Sequence, residues 1–88
     1  MPRYHFHIDG DHPSHDDEGT ELHSLAVAKC EAIRMAGRII CDAAASFWDR
    51  AEWSMTVTDA NGLTLLHLGI VGTEAPAVMR DQPRPIAT

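Results

Sequence analysis

The chain opens with Met1-Pro2-Arg3-Tyr4-His5-Phe6-His7-Ile8-Asp9, and the alternation of apolar and polar residues in this stretch decides the fold. A period of two is typical of a half-buried β-strand, because successive side chains point to opposite faces of a sheet. Tyr4, Phe6 and Ile8 are therefore predicted to face the core. The two histidines share the opposite face, which raises the question of whether they carry any chemistry.

Length and charge limit the class of protein. The 88 residues carry a formal net charge of −6, and the sequence pI is about 5.3. A chain of this length forms one small domain, whose marginal stability would gain from the extra burial of self-association. Nucleic-acid affinity depends largely on Lys and Arg that neutralise phosphates, and anionic membrane surfaces attract the same residues. We therefore expect a homo-oligomer or another protein partner, with no nucleic acid and no membrane.

The apolar segments and the cysteines indicate a cytoplasmic, reducing location. The longest apolar run, Leu63 to Val71, is interrupted by polar residues and glycine and is far shorter than the ~20 residues of a membrane-spanning helix. Cys30 and Cys41 both fall within a predicted helix, where a rise of ~1.5 Å per residue separates them by roughly 16 Å. That distance prevents a disulfide, so both cysteines are predicted to be small buried apolar residues.

The remaining segments give a strand-strand-helix-strand-strand order. Residues 16–22 are predicted as a short acidic edge strand, and Ser24 as the N-cap of a helix that runs from Leu25 to about Trp48. Alternation predicts strands over 53–58 and 63–70, joined by a turn at Asn61-Gly62 where positive φ is tolerated. This order predicts an α+β two-layer sandwich, ββαββ, in which one long helix packs on one face of an antiparallel sheet. The domain is assigned to residues 1–72, and the proline-containing residues 73–88 are predicted to be irregular or disordered.

The predicted helix has more apolar surface than one sheet face covers. Its core side is centred on Ala28, Ala32, Ala36 and Ile39, opposite a narrow polar stripe. A second apolar flank, together with an exposed leucine of the last strand, is the candidate interface with another chain. It comprises Cys30, Ile33, Gly37, Ile40, Cys41, Ala44, Trp48 and Leu65. The alternative interpretation is that an Ala-rich helix is apolar on all sides and that the second flank forms no interface.

The histidines of the first strand suggest a metal site. His5 and His7 lie on one face about 7 Å apart, a spacing that suits two ligands of one Zn²⁺ or Ni²⁺ ion. His67 is the candidate third ligand, and it reaches the pair only if the fourth strand lies beside the first. The alternative is that these histidines are polar residues of a solvated sheet face, or interface residues in a dimer. No nucleophile elbow, phosphate-binding glycine loop or zinc-protease motif occurs, so we expect no catalytic residues, no cofactor and no enzyme.

Several segments resemble a known family. The opening Met-Pro-Arg-Tyr-x-Phe-His, the segment Asp17 to Leu22, the Ala-rich helix and the Val57-Thr58-Asp59-x-x-Gly62 hairpin are similar to a family of short bacterial proteins of unknown function. Its members typically open with Met-Pro-Arg-Tyr-Phe-Phe-His. The resemblance covers residues 1 to about 70 and implies a small cytoplasmic α+β protein with no known activity. His5 stands where the family usually has Phe, so the family pattern includes His7 but not the histidine pair.

Three functional hypotheses follow from these features. The first is a non-enzymatic interaction or regulatory module that self-associates. The second is a metal-binding protein that uses the strand histidines. The third, by analogy with other small acidic proteins of this element order, is an antitoxin-like partner of another protein.

Overall fold

The structure is a computed structural model that describes residues 1–10 and 13–81. Its elements in chain order are β1 (Arg3–Asp9), β2 (Thr20–Glu21), α1 (Leu25–Asp42), α2 (Ala44–Arg50), β3 (Glu52–Thr58), β4 (Thr64–Val71) and α3 (Pro76–Asp81). The four strands form one antiparallel sheet in the order β2-β1-β3-β4. The predicted α+β class, with an antiparallel sheet and one long helix, is confirmed.

Strand β1 lies between β2 and β3, and its register with β3 separates apolar from polar residues on the two faces of the sheet. Phe6 lies opposite Val57 and Ile8 opposite Met55, whereas His7 lies opposite Thr56. Apolar residues of both strands therefore share one face, and polar residues share the other. The alternation of the opening stretch correctly predicts this division.

Four large side chains and three alanines form the buried core. Tyr4, Phe6, Met55 and Val57 on the sheet are buried together with Ala28, Ala32 and Ala36 on α1. The alanines recur every four residues, so they lie on one side of the helix, and their small size lets α1 approach the sheet closely. Ser24 caps α1 as predicted, because its Oγ accepts a hydrogen bond from the backbone N–H of Val27 at 3.3 Å.

The helix is shorter than its sequence predicts. Instead of running to Trp48, it ends at Asp42, and Ala43 adopts φ −121° and ψ 42°, outside the helical region. The break places Phe47 and Trp48 on α2, where their rings lie against Gly72 at the end of β4. A Cβ on Gly72 would lie 2.7 Å from the Trp48 ring, so the close approach requires glycine there.

Two further segments differ from their predictions. Strand β2 has only two residues rather than the seven of 16–22, because the chain before it contacts β1 through the Asp16 side chain and a single bridge between Ser14 and Ile8. Pro76–Asp81 forms a short helix inside the segment predicted to be irregular, since proline at the first helical position has its φ already set for a helix. Residues 82–88 of that predicted tail lie outside the described part of the chain.

The β3–β4 hairpin has the predicted location but a different turn. Asp59 Oδ1 accepts hydrogen bonds from the backbone N–H groups of Asn61 at 2.8 Å and Leu63 at 2.9 Å, and only Gly62 has a positive φ, 83°. The register shifts between Val57 and Thr58, so Leu65 has no partner on β3. This bulge turns Leu65 towards the core, where it is half-buried, and corrects the prediction that it is exposed.

Candidate functional site

Three imidazoles stack on the polar face of the sheet, beneath the segment that follows β1. We call His5, His7 and His15 the histidine cluster, and residues 13–19 the Asp16 loop. The ring centroids of His5 and His7 are 6.2 Å apart with nearly parallel planes, and those of His7 and His15 are 4.3 Å apart. Because the first two project from one strand, the position of the third depends on how the loop is held.

Asp16 holds the loop on β1, and all of its polar groups are hydrogen-bonded. Its backbone N–H donates to Nδ1 of His7 at 3.1 Å, and its carbonyl oxygen accepts from Nδ1 of His5 at 2.9 Å. Its carboxylate accepts from the backbone N–H of Phe6 through Oδ2 and from that of Gly19 through Oδ1, both at 3.0 Å. One residue therefore satisfies a backbone donor of β1 and fixes two imidazole rings.

These contacts define the proton positions on the two strand histidines. Nδ1 of His7 accepts from a backbone N–H, so it carries no proton, and Nε2–H donates to Oγ1 of Thr58 at 3.0 Å. His7 is therefore neutral in this arrangement. His5 faces a carbonyl oxygen, which only accepts, so Nδ1 of His5 carries a proton.

The electrostatics of the cluster agree with this geometry. Desolvation lowers the pKa of His7 below its usual value, and His15 and His5 lower it further against the opposing carboxylates of Asp16 and Asp17. For Asp16, partial burial alone would raise the pKa of the carboxyl. Hydrogen bonds from the N–H groups of Gly19 and Phe6, together with the two strand histidines, outweigh burial and lower that pKa overall.

The lowered pKa of His7 makes folding stability depend on pH. In the unfolded chain His7 takes up a proton as the pH falls through about 6.5, whereas the folded chain does so only at lower pH. The unfolded state binds more protons in that window, so the contribution of His7 is complete above pH 6.5 and is lost as the pH falls towards the folded pKa. Urea unfolding between pH 8 and 5 should show this loss.

The matched variants for this prediction are His7→Gln and His23→Gln. Glutamine retains a neutral acceptor and donor, so His7→Gln should reduce the slope of unfolding free energy against pH near 6.5. His23 is exposed and lies outside the cluster, so the slope should change less in His23→Gln than in His7→Gln. Equal slopes in wild type and His7→Gln would contradict the prediction.

The cluster borders an open concavity on the polar face. It has a volume of about 460 Å³, and Thr56, Thr58 and Asp59 line it together with the three histidines. Thr58 is buried, and its hydrogen bond to the His7 ring fixes the orientation of that ring in the concavity. The concavity presents imidazole, hydroxyl and carboxylate groups to one space.

The structure does not bring the three predicted metal ligands together. Strand β3 lies between β1 and β4, so His67 is opposite Thr56, which in turn is opposite His7. Nδ1 of His67 lies 3.2 Å from Oγ1 of Thr56, and both ring nitrogens of His7 are already hydrogen-bonded. Within residues 1–10 and 13–81, no group of three His, Cys, Asp or Glu residues is placed to hold a metal ion.

Sequence reasoning missed the role of Asp16 and the third member of the cluster. Both residues lie in a loop without periodicity, so no pattern assigned their side chains to a face. The available signal was the spacing of Asp16 and Gly19, since an Asp side chain often accepts from a backbone N–H a few residues later.

The predicted interface residues of α1 are mostly at the surface. Cys30, Ile33, Gly37 and Cys41 are exposed along the side of α1 away from the core, and we call these four the outer helix surface. The prediction that both cysteines are buried is wrong, because the three core alanines occupy the side that faces the sheet. Of the remaining predicted interface residues, Ala44 and Trp48 are exposed on α2, whereas Ile40 and Leu65 are half-buried.

These features define a small two-layer α+β protein with a loop-covered polar sheet face and an apolar outer helix surface. Residues 3–71 match a family model described as "Domain of unknown function (DUF6894)", and the chain belongs to this family. No curated protein and no solved structure matches the chain. Among the described residues, no helix has the length and apolar character needed to cross a membrane.

Proposed function

We propose that this protein is a non-enzymatic interaction module that self-associates through the outer helix surface. The proposal is supported by the distribution of large apolar side chains in the described part of the chain. Only four of them are buried, namely Tyr4, Phe6, Met55 and Val57. Eight are exposed: Met1, Leu25, Val27, Ile33, Trp48, Leu63, Val71 and Val78. A fold that leaves more large apolar groups outside than inside gains stability when another chain covers some of them.

The outer helix surface has the geometry of a helix-packing face. Its four residues are separated by three or four positions, so they lie along one line of α1. Ile33 is 65% exposed at the middle of this line, and apart from the helix itself no described residue lies within 4 Å of the place where a Cβ on Gly37 would be. A second helix can therefore approach closely at Gly37 while Ile33 packs against it.

The charge distribution permits a second copy of this chain to dock at the outer helix surface. Each copy carries a net charge of −6, so association requires a contact surface that brings no further like charges together. Arg34, whose Nη2 lies 4.0 Å from Sγ of Cys30, is paired with Glu31 at 3.2 Å. None of the four residues is of an acidic or basic type.

The test is sedimentation equilibrium in a reducing buffer, from low to high micromolar concentration, on wild type and Ile33→Glu. The wild type should self-associate, and a carboxylate at the centre of the surface should weaken association at least about tenfold, equivalent to ~1.4 kcal/mol. A strictly monomeric wild type at high micromolar concentration would refute the proposal.

Leu25→Glu is the matched control. Leu25 is an exposed apolar residue of the same size on the same helix, but it lies about 12 Å from Ile33 along the helix axis and is not three or four positions from any residue of the outer helix surface. The same change of charge and size at Leu25 should leave association unaltered. Equal weakening by both variants would assign the effect to net charge rather than to this surface.

A further inference from the structure

We infer that the outer edge of β4 pairs antiparallel with β4 of a second copy, about a two-fold axis at Leu68, to form one continuous eight-stranded sheet. This inference concerns a different surface from the outer helix surface and depends on separate observations. Either interface can exist without the other.

The two edges of the sheet differ in how far other segments cover their backbone groups. The outer edge of β1 is covered along its length: Arg3 and Tyr4 pair with β2, the N–H of Phe6 donates to Asp16, and Ile8 exchanges two backbone hydrogen bonds with Ser14 at 2.8 and 2.9 Å. Strand β4 has eight residues and a neighbouring strand on one side only, within the part of the chain that the structure describes. Its outer side therefore presents backbone N–H and C=O groups that another strand can bind.

The β4 edge lacks the features that normally prevent such pairing. Edge strands of monomeric proteins usually contain charged residues or proline, and residues 63–72 contain neither. The one protective feature is the bulge at the start of the strand, which leaves Leu66 to Val71 in regular register with β3. In a chain of net charge −6, this edge lets two copies meet without bringing Asp or Glu side chains of the paired strands into contact.

The side-chain pattern selects the register of the pairing. Leu66, Leu68 and Ile70 lie on the helix side of the sheet, opposite Val57, Met55 and Trp53. A two-fold axis at Leu68 places Leu66 of each copy opposite Ile70 of the other and Leu68 opposite its own counterpart. An axis at residue 67 would place Ile70 opposite Thr64, and an axis at residue 69 would place Leu66 opposite Gly72. Only the axis at Leu68 therefore places each of the three apolar residues opposite another of them.

The opposite face of the strand fits the same register. The axis at Leu68 places His67 of one copy opposite Gly69 of the other. Both residues are exposed, and beyond its chain neighbours no residue in the described part of the chain lies within 4 Å of the position of a Cβ on Gly69. The glycine therefore leaves room for the imidazole of the second copy.

The test is disulfide trapping in a chain that carries Cys30→Ser and Cys41→Ser. Cross-strand partners have Cβ atoms about 4.5–5.5 Å apart, close enough for a disulfide after a small adjustment. We expect an equimolar mixture of His67→Cys and Gly69→Cys chains to give the mixed disulfide dimer at least about tenfold faster than either chain alone. The control mixture is Thr56→Cys with Gly69→Cys, because Thr56 is the β3 neighbour of His67 on the same face. Two strand spacings of ~4.8 Å would separate it from the partner's β4.

The possible results have different meanings. Trapping in the first mixture no faster than in the control mixture would overturn the edge interface. Trapping of His67→Cys chiefly with itself would overturn the axis at Leu68. Repeating the first mixture with Ile33→Glu present separates the two surfaces, since trapping should persist even where the outer helix surface is disrupted. Circular dichroism of each variant checks that the fold is retained.

Discussion

Substitution of Gly19 by alanine should destabilise the protein by roughly 2–4 kcal/mol. Gly19 has φ 74°, a left-handed conformation that is unfavourable for a residue with a Cβ. In addition, a Cβ there would lie 2.8 Å from Cε1 of His5 and 2.9 Å from Cγ of Arg3. The new methyl group therefore has to displace either the histidine cluster or the loop that covers it.

Gly62→Ala separates the two causes. Gly62 also has a positive φ, 83°, but among residues 1–10 and 13–81 none other than its chain neighbours lies within 4 Å of its Cβ position. Gly62→Ala should therefore lose only the stability that the unfavourable backbone conformation costs, about 1 kcal/mol. Urea unfolding of both variants measures the difference, and equal losses would show that Gly19 is needed for its backbone conformation alone.

Replacement of Asp16 by alanine should cost about 3 kcal/mol, a large fraction of the stability of a small domain. The carboxylate accepts hydrogen bonds from the backbone N–H groups of Phe6 and Gly19, and Phe6 is among the most buried residues of the core. Removal of the side chain leaves the backbone N–H of Phe6 without this hydrogen-bond acceptor. Asp16→Asn retains one acceptor oxygen and should lose an intermediate amount.

The control for Asp16 is its neighbour Asp17. Asp17 is 87% exposed and its side chain is paired with the exposed His15 at 3.3 Å, so Asp17→Ala should cost less than about 0.5 kcal/mol. Thermal or urea unfolding of Asp16→Ala, Asp16→Asn and Asp17→Ala at pH 7.5 ranks the three variants by their loss of unfolding free energy. A loss in Asp17→Ala as large as that in Asp16→Ala would mean that general loop charge, not the contacts of Asp16, supports the fold.

The periodic segments were predictable from the sequence. The alternation at Tyr4, Phe6 and Ile8 gives the correct core face of β1, and the spacing of Ala28, Ala32 and Ala36 gives the correct side of α1. Burial at a fixed period is a property of one segment, so a single sequence contains it. The hairpin between β3 and β4 was located for the same reason, by a local turn signal.

The remaining features depend on contacts between distant segments. Ala43 interrupts an Ala-rich helix that contains no local breaker there, because the aromatic pair on α2 packs at the end of β4. The cysteines are exposed because alanines occupy the sheet side of α1. His5 and His7 looked like free ligands on a solvated face, and only the position of Asp16 shows that their Nδ1 atoms are already occupied.

The attachment of Asp16 to β1 also bears on how the chain reaches its fold. Phe6 and Asp16 are ten residues apart, whereas His7 and Thr58 are separated by 51. Closing the longer loop costs about 1.4 kcal/mol more chain entropy. The N-terminal strand and its loop can therefore form as a local unit, and the docking of β3 beside β1, which brings the two halves of the chain together across the helices, is expected to be the later and slower step of folding.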